Sequence, residues 1–157
     1  MTTIIDGSGS ATFATPLPMA QVADLGLPAY GRVVRTAGSI TTTSTSLVDV
    51  TGATITLTTG AFPVAYGVAQ LFRHSVGSNR VKFNITIDGV LQHGTEGLIP
   101  AGPSVASDNG NGSFTGLSAP LSAASHTIKE QWGVFSGTGT ILADSANNHL
   151  FYAQEIR

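Results

Sequence analysis

The four histidines are the residues of this chain with the widest chemical range, because imidazole binds metals and transfers protons near pH 7. They are His74, His93, His126 and His149. Each falls in a different predicted strand or strand end, and none has the His-x-His or His-Glu-x-x-His spacing that brings two metal ligands together. The spacing therefore predicts no metal centre and no catalytic residue, and we expect no cofactor.

Other motifs for chemistry are equally sparse. The chain has no Gly-x-Ser-x-Gly elbow and no Gly-x-x-x-x-Gly-Lys phosphate loop. The Gly/Ser/Asn-rich stretch 95–112 is predicted to be an exposed loop, and Asp108 alone does not supply the several carboxylates of a calcium loop. Widely spaced carboxylates leave open a glycosidase-like pair, which only the fold can bring together. We predict that the protein is not an enzyme.

Glu130 is the ionisable residue that conflicts most with its surroundings. In the segment around it, every second residue is expected to face inward: His126, Ile128, Glu130, Trp132 and Val134. Burial of an unpaired carboxylate is costly. We therefore expect Glu130 to bond a Lys, Arg or His, to lie at a sheet margin, or to face another subunit, and we take it as a candidate interface residue.

The elements that position these residues are predicted to be strands. Residues 80–88 alternate strictly between polar and apolar, with one buried and one solvated face, and residues 53–58 repeat the pattern. Residues 64–74 are apolar on both parities, which predicts a central strand covered on both sides. Further strands are predicted over 113–118, 125–134, 139–142 and 148–156, with Ile128, Trp132, Leu150 and Tyr152 in the core. About eight short strands indicate an all-β antiparallel sandwich or barrel.

The composition indicates either a surface coated with Thr, Ser and Asn or a surface that other subunits partly cover, and both fit a component of a large assembly. Charged residues are 10% of the 157-residue chain, a count of seven basic and nine acidic, against an expected surface of roughly 7,400 Å². The net charge of −2 argues against nucleic-acid binding, which needs clustered Lys and Arg. There is no cysteine, and no apolar run is long enough for a membrane span. We expect synthesis in the cytoplasm.

Residues 1–37 differ from the rest of the chain. Two very short strands around a Gly/Ser run are predicted near the N-terminus, and the prolines that follow break any regular element. The segment is predicted to be an arm of the 38–157 domain, packed on its own domain or, as we favour, docked on a neighbouring subunit. Its candidate interface residues are apolar: Ile4, Ile5, Phe13, Leu17, Met19, Val22, Leu25 and Leu27.

Three segments, 40–60, 82–89 and 121–132, resemble the jelly-roll domains of tailed-bacteriophage virion proteins. These include capsid decoration (cement) proteins, head fibres and tail or fibre knobs. The resemblance covers residues 39–157 and implies a jelly-roll sandwich. Members of this family usually carry an apolar residue at the position of Glu130, so this chain departs from their pattern there. The opening residues 4–13 also resemble the N-terminal attachment segments of such proteins.

The resemblance implies a homotrimer on the outer surface of the virion capsid, bound to the major capsid protein through the N-terminal arm. The alternative is a tail or fibre knob that recognises host surface carbohydrate. Sugars stack on exposed aromatic rings, and Tyr30, Tyr66 and Tyr152 are the available platforms because Trp132 is expected in the core. No nucleic acid and no membrane is expected as a partner.

Overall fold

The architecture is taken from a computed structural model. It describes residues 28–77, 79–100 and 105–157 in full. For residues 1–27 it describes only the backbone of two short antiparallel strands, β1 (Ile4–Ile5) and β2 (Ala11–Thr12). The candidate interface side chains of the N-terminal arm therefore lie outside the described residues. The two short strands agree with the expectation for this stretch.

Twelve further strands follow β1 and β2 in the described residues. They are β3 (Tyr30–Arg35), β4 (Ile40–Thr42), β5 (Val48–Thr58), β6 (Val64–Ala69), β7 (Leu71–His74), β8 (Val81–Ile87), β9 (Val90–Leu91), β10 (Asn109–Asn111), β11 (Phe114–Leu117), β12 (Ser125–Val134), β13 (Gly139–Ile141) and β14 (His149–Glu155). All their pairings are antiparallel.

The strands form two layers. The first layer consists of four long strands, each broken in the middle into two short ones. The two halves of each long strand follow one another in the chain: β3 and β4, β6 and β7, β10 and β11, and β13 and β14. Their orders, β11-β6-β14-β3 and β10-β7-β13-β4, are the same, and we call this layer sheet 1. Sheet 2 has the order β5-β12-β8-β9. When each broken strand is counted once, the sandwich has eight strands. Across sheet 1 the neighbouring strands are the first, the eighth, the third and the sixth in chain order. This order is a jelly roll, which confirms the predicted all-β sandwich.

The sandwich begins before residue 38, which corrects the predicted boundary of the arm. Residues 30–35 form β3, which pairs with β14 from Tyr30 opposite Gln154 to Arg35 opposite His149. Val33 packs against the core between the two sheets. The prolines up to Pro28 hid this strand, because its apolar content is low and its inward positions include Gly31.

The core lies between the sheets and contains the residues that the alternation of β5 and β12 predicts. Ala53, Ile55 and Leu57 face inward from β5, while Ile128 and Trp132 face inward from β12. In β14 the predicted parity is wrong. Phe151 and Ala153 are fully buried there, whereas Leu150 and Tyr152 are directed to the outer face, and so the latter two do not fill the core.

The strand with the clearest alternation in the sequence is not half-solvated as predicted. Every residue of β8 is buried, including Lys82, Asn84 and Thr86 on its outer side. The chain after β9 covers that side, since the Asn84 amide donates to the carbonyls of His93 and Gly94. Lys82 pairs with Glu96, Nζ to Oε2, at 2.9 Å.

Two further expectations about burial and loops need correction. The segment 64–74 pairs on both edges as predicted, but Ala69 and Arg73 on its outer side are exposed, so it is not covered on both faces. The 95–112 stretch is not wholly a loop, because Asn109–Asn111 forms β10 against β7. Gly110 allows this pairing, since a Cβ at that position would lie 2.6 Å from the Phe72 ring.

Candidate functional site: buried polar pairs and two unlike sheet faces

A buried Glu130–His149 pair joins the two sheets. Glu130 Oε2 on β12 lies 2.7 Å from His149 Nε2 on β14, and the two side chains are 0% and 1% exposed. The neighbours of Glu130 along β12, Ile128 and Trp132, are core residues. The histidine partner is of a type that the sequence predicted for Glu130.

Glu130 does not make a subunit contact through its side chain, which corrects its assignment as an interface residue. The inward parity of β12 directs the carboxylate into the space between the sheets, where His149 of the same chain meets it. A buried acid paired with a buried base in the middle of a sandwich is a structural arrangement. It offers no opening through which a substrate or a neighbour reaches it.

A second buried carboxylate, which the sequence analysis missed, closes one end of the sandwich. Glu155 is fully buried and accepts hydrogen bonds from the Gly60 N–H, from the Ala29 N–H at 3.3 Å and from Arg157 Nε at 2.9 Å. These hydrogen bonds hold the pKa of Glu155 below its ordinary value. The bond from the Gly60 N–H has the largest effect, and the bonds from Ala29 and Arg157 add to it. Glu155 thereby fixes Ala29, where the chain from the N-terminal segment enters the sandwich.

His126 is held at the margin of the core by Asp88. Its Nδ1 lies 2.6 Å from Asp88 Oδ2, and its Nε2 lies 3.0 Å from the Ser122 carbonyl oxygen. These two hydrogen bonds raise the pKa of His126, and the bond to the Asp88 carboxylate has the larger effect. The Thr127 N–H and then His126 lower the pKa of Asp88. The pair fixes the turn at Asp88, where the backbone has a φ of 50°.

The other two histidines are also engaged by the protein itself. His74 Nε2 lies 2.7 Å from the Ser136 carbonyl oxygen, and its Nδ1 accepts from the Val76 N–H at 3.0 Å. His93 Nε2 lies 3.3 Å from the Tyr66 hydroxyl, and burial lowers the pKa of His93. Among the described residues no group of three or more His, Asp or Glu side chains is placed to hold a metal ion.

A small apolar pocket lies between the end of the loop after β9 and the start of β11. Its volume is ≈ 250 Å³, and its lining includes Leu98, Ile99, Pro100 and Phe114. Ligand sites are commonly 300–1,000 Å³ with a few convergent polar groups. Among the described residues of its lining, Ser113 supplies the one polar side chain, so they make a poor candidate for a small-molecule site.

The outer face of sheet 2 is polar and is linked by its own side chains. Lys129 Nζ donates to Asp49 Oδ2 at 2.7 Å, and Gln131 Nε2 donates to Asp49 Oδ1 at 2.8 Å. The Gln131 and Lys129 bonds lower the pKa of Asp49. Threonines cover much of the rest of this face: Thr54, Thr56, Thr58 and Thr127. Hydroxyls and paired charges of this kind are well solvated without a partner.

The outer face of the β11-β6-β14-β3 half of sheet 1 carries several exposed apolar side chains by contrast. Its exposed side chains include Leu117, Tyr30 and Val34, which are 60%, 55% and 46% exposed. Leu150 and Tyr152 on the central strand β14 lie between the edges of this face. Of the three tyrosines considered as sugar platforms, Tyr66 is 2% exposed and is excluded, while Tyr30 and Tyr152 share this face.

The fold defines the chain as a jelly-roll β-sandwich, and comparisons with known proteins give no family. No family model and no curated protein matches the sequence. Among solved structures it is similar to T=1 particles derived from infectious bursal virus, with a TM-score of 0.45, 12% identity and coverage of 82% of this chain and 36% of that chain. It is also similar to the VP2 subviral particle of infectious bursal disease virus, with a TM-score of 0.45, 10% identity and coverage of 82% and 38%.

The chain thus spans little more than a third of the length of these solved chains. Similarity at this level is compatible with the jelly-roll topology already described and carries no conclusion about activity or partners. Within the described part of the chain, no helix has the length and hydropathy needed to cross a membrane.

Proposed function

We propose that this chain is a structural virion protein, a capsid decoration or cement protein of a tailed bacteriophage that binds the outer surface of the head as a homotrimer. The observation that carries this proposal is that the side chains with potential for chemistry form bonds within the protein itself. All four histidines and, in the part of the chain that the structure describes, both fully buried carboxylates bond groups of the same chain. The features left for function are the sheet faces and the N-terminal segment, which are means of contact.

The N-terminal segment is the proposed attachment arm to the major capsid protein. It is rich in large apolar residues, and each Å² of apolar surface that it buries contributes about 25 cal/mol. Glu155 fixes the start of the sandwich at Ala29, so the segment extends from a rigid base. Three arms on one trimer bind the same lattice with an avidity that a single arm lacks.

The test is removal of residues 1–27, which leaves Ala29 and β3 in place. We expect the truncated protein to remain folded but to lose co-sedimentation with phage heads that lack the decoration protein. A full-length Thr56→Ala variant, altered only on the polar face of sheet 2, is the matched control and is expected to bind like the wild type. Head binding retained by the truncated protein would contradict the proposed role of the arm.

The alternative function is a tail or fibre knob that recognises host carbohydrate. Its supporting observation is the exposure of Tyr30, together with Tyr152, on one face of sheet 1. The same preparations are tested against host cells and purified host polysaccharide. Binding to host polysaccharide, without binding to heads, would replace the decoration proposal with this one.

A further inference from the structure

The ring of His126, at the start of β12, is held between two groups that only accept hydrogen bonds. The Asp88 carboxylate lies 2.6 Å from Nδ1, and the Ser122 carbonyl oxygen lies 3.0 Å from Nε2. A neutral imidazole has one N–H and can satisfy one of these acceptors, whereas the imidazolium ion has two and satisfies both. The surroundings of the ring therefore suit the charged form of His126.

Asp88 is the charged residue that faces the ring, among the described residues of the elements packed around it. The loops 59–63 and 118–124 contain no charged residue. The other charged side chains and histidines of β5, β8, β12, β14 and the loop after β9 bond partners elsewhere, and these are Asp49, Lys82, His93, Glu96, Lys129, Glu130, His149 and Glu155. The charge of the ring is therefore balanced by Asp88.

Loss of the ring proton changes which atom of Ser122 the ring can bond. The remaining N–H stays on Nδ1, because the ionised Asp88 is the stronger acceptor. Nε2 then becomes an acceptor that faces the Ser122 carbonyl oxygen, and two acceptors at this distance repel each other. The Ser122 hydroxyl lies 3.4 Å from the same nitrogen and can donate to it once the ring is neutral. Ser122 thus offers an acceptor to the charged ring and a donor to the neutral ring.

The Ser122 carbonyl also ties the loop 118–124 to the neighbouring loop 59–63. It accepts a second hydrogen bond, from Thr59 Oγ1 at 2.8 Å. The Thr59 N–H donates to the Ala124 carbonyl oxygen at 2.9 Å. A change in what His126 bonds therefore acts on the contact between the two loops.

The loop 59–63 in turn holds the point where the N-terminal segment enters the sandwich. Its Gly60 N–H donates to Glu155, and the same carboxylate accepts from the Ala29 N–H at 3.3 Å. Hydrogen bonds and adjacent residues therefore connect His126 with Ala29 across this end of the molecule.

We propose that His126 is a pH switch for the loop 118–124. The imidazolium ion binds the Ser122 carbonyl and fixes the loop, while the neutral ring releases that carbonyl and accepts from the Ser122 hydroxyl instead. The switch goes beyond the proposed function and requires no capsid, because all of its contacts lie within one chain. It makes the end of the sandwich next to the N-terminal segment responsive to pH.

The direction of the pH effect follows from the two acceptors. The Asp88 carboxylate first, and then the Ser122 carbonyl, raise the pKa of folded His126 above its ordinary value of 6.5. The contact therefore stabilises the loop fully below the unfolded pKa of about 6.5 and is lost as pH rises through the higher folded pKa. At low pH the limit is Asp88, whose pKa is lowered from 3.8, chiefly by the Thr127 N–H.

The test is an NMR titration of the full-length protein between about pH 5 and about pH 8.5, a range that spans the charge change of histidine. We expect the His126 ring to titrate with a midpoint above 6.5. The Leu121 N–H, which bonds the Phe62 carbonyl, reports on the loop. Its chemical shift is expected to follow the same midpoint, and its hydrogen-exchange protection factor to fall about tenfold above it.

Three variants separate the switch from a fixed structural contact. Asp88→Asn keeps the shape of the side chain and is expected to lower the His126 midpoint by about 1 pH unit, because the carboxylate charge is lost. Ser122→Ala is expected to raise the midpoint, since it keeps the carbonyl but removes the donor that serves the neutral ring. In His126→Gln the Leu121 signal is expected not to titrate. Ser125→Ala, a change at an exposed serine nearby, is the matched control and is expected to keep the wild-type midpoint.

Three outcomes would overturn the proposal. They are a wild-type His126 midpoint at or below 6.5, a Leu121 signal that does not follow the His126 midpoint, and a Ser122→Ala midpoint equal to that of Ser125→Ala. None of these measurements involves phage heads. Loss of the capsid role would therefore leave the switch intact, and loss of the switch would leave the capsid role intact.

Discussion

At the residue scale, the Glu130–His149 pair is the polar contact of greatest consequence for the core. It links strands of different sheets, and both side chains are inaccessible to solvent. Glu130 Oε1 and His149 Nδ1 have no hydrogen-bond partner among the described residues. A buried pair of this kind is a weak source of net stability, but the loss of one member leaves the other without its partner in the core.

We expect Glu130→Ala to lower the free energy of unfolding by about 3 kcal/mol or more, because it leaves His149 unpaired and opens a cavity. The double substitution Glu130→Leu with His149→Leu is expected to recover most of that loss. Urea denaturation of Glu130→Leu, of His149→Leu and of the double variant measures the coupling between the two side chains.

The control for this cycle is Asp49→Asn, which weakens a pair whose two members, Lys129 and Asp49, are 39% and 45% exposed. We expect it to cost less than about 1 kcal/mol. A Glu130→Ala variant no less stable than Asp49→Asn would show that the buried pair does not hold the sheets together.

At the scale of elements, glycines let aromatic rings lie flat against neighbouring strands. Gly116 on β11 sits under the Tyr66 ring, and a Cβ there would lie 2.5 Å from two of the ring carbons. Gly67 on β6 has the same relation to Tyr152. The two rings differ in freedom, because Tyr66 is 2% exposed and packs on His93, while Tyr152 is partly exposed and borders solvent.

We therefore expect Gly116→Ala to cost about 1–3 kcal/mol of stability, as in other overpacked cores. Gly67→Ala is expected to cost less than about 1 kcal/mol, because the Tyr152 ring has solvent into which it turns. Thermal unfolding followed by circular dichroism compares the two.

Gly94→Ala is the control for this pair, since a Cβ at Gly94 meets nothing within 4 Å. It is expected to change stability by less than about 1 kcal/mol. Equal losses from Gly116→Ala and Gly67→Ala would contradict the difference in freedom between the two rings.

At the scale of the whole molecule, the two ends of the sandwich depend on each other. The first strand of the sandwich, β3, pairs with the last, β14. The Glu155 carboxylate at the end of β14 also accepts from the Ala29 N–H. The folded domain therefore requires the chain from about residue 28 to its last strand, and the sequence-based boundary at residue 38 falls inside it.

Two truncated proteins test this boundary. Residues 28–157 are expected to unfold cooperatively, whereas residues 38–157 are expected to lose cooperative unfolding or most of their stability. The shorter protein lacks β3, leaves an edge of β14 unpaired and removes one of the donors to buried Glu155. Urea denaturation monitored by Trp132 fluorescence makes the comparison. Equal midpoints for the two would show that β3 is dispensable and would restore the boundary at residue 38.

The sequence by itself determined the fold class, most strand positions and the inward parity of β5 and β12. These follow from alternation with a period of two residues, a local property of each strand. It also predicted that Glu130 would bond a Lys, Arg or His partner, lie at a sheet margin or face another subunit, since an unpaired buried carboxylate is too costly.

Only the tertiary structure decided which residue that partner is, because His149 lies in a different sheet and its pairing is set by how the sheets stack. Which side chains of β14 face inward was ambiguous for a related reason. Leu150 and Tyr152 are as apolar as Phe151 and Ala153, so the sequence of this strand does not alternate between polar and apolar residues. The covered outer side of β8 likewise depends on the path of the chain after β9. In each case the deciding contact joins residues distant in sequence, which no local pattern records.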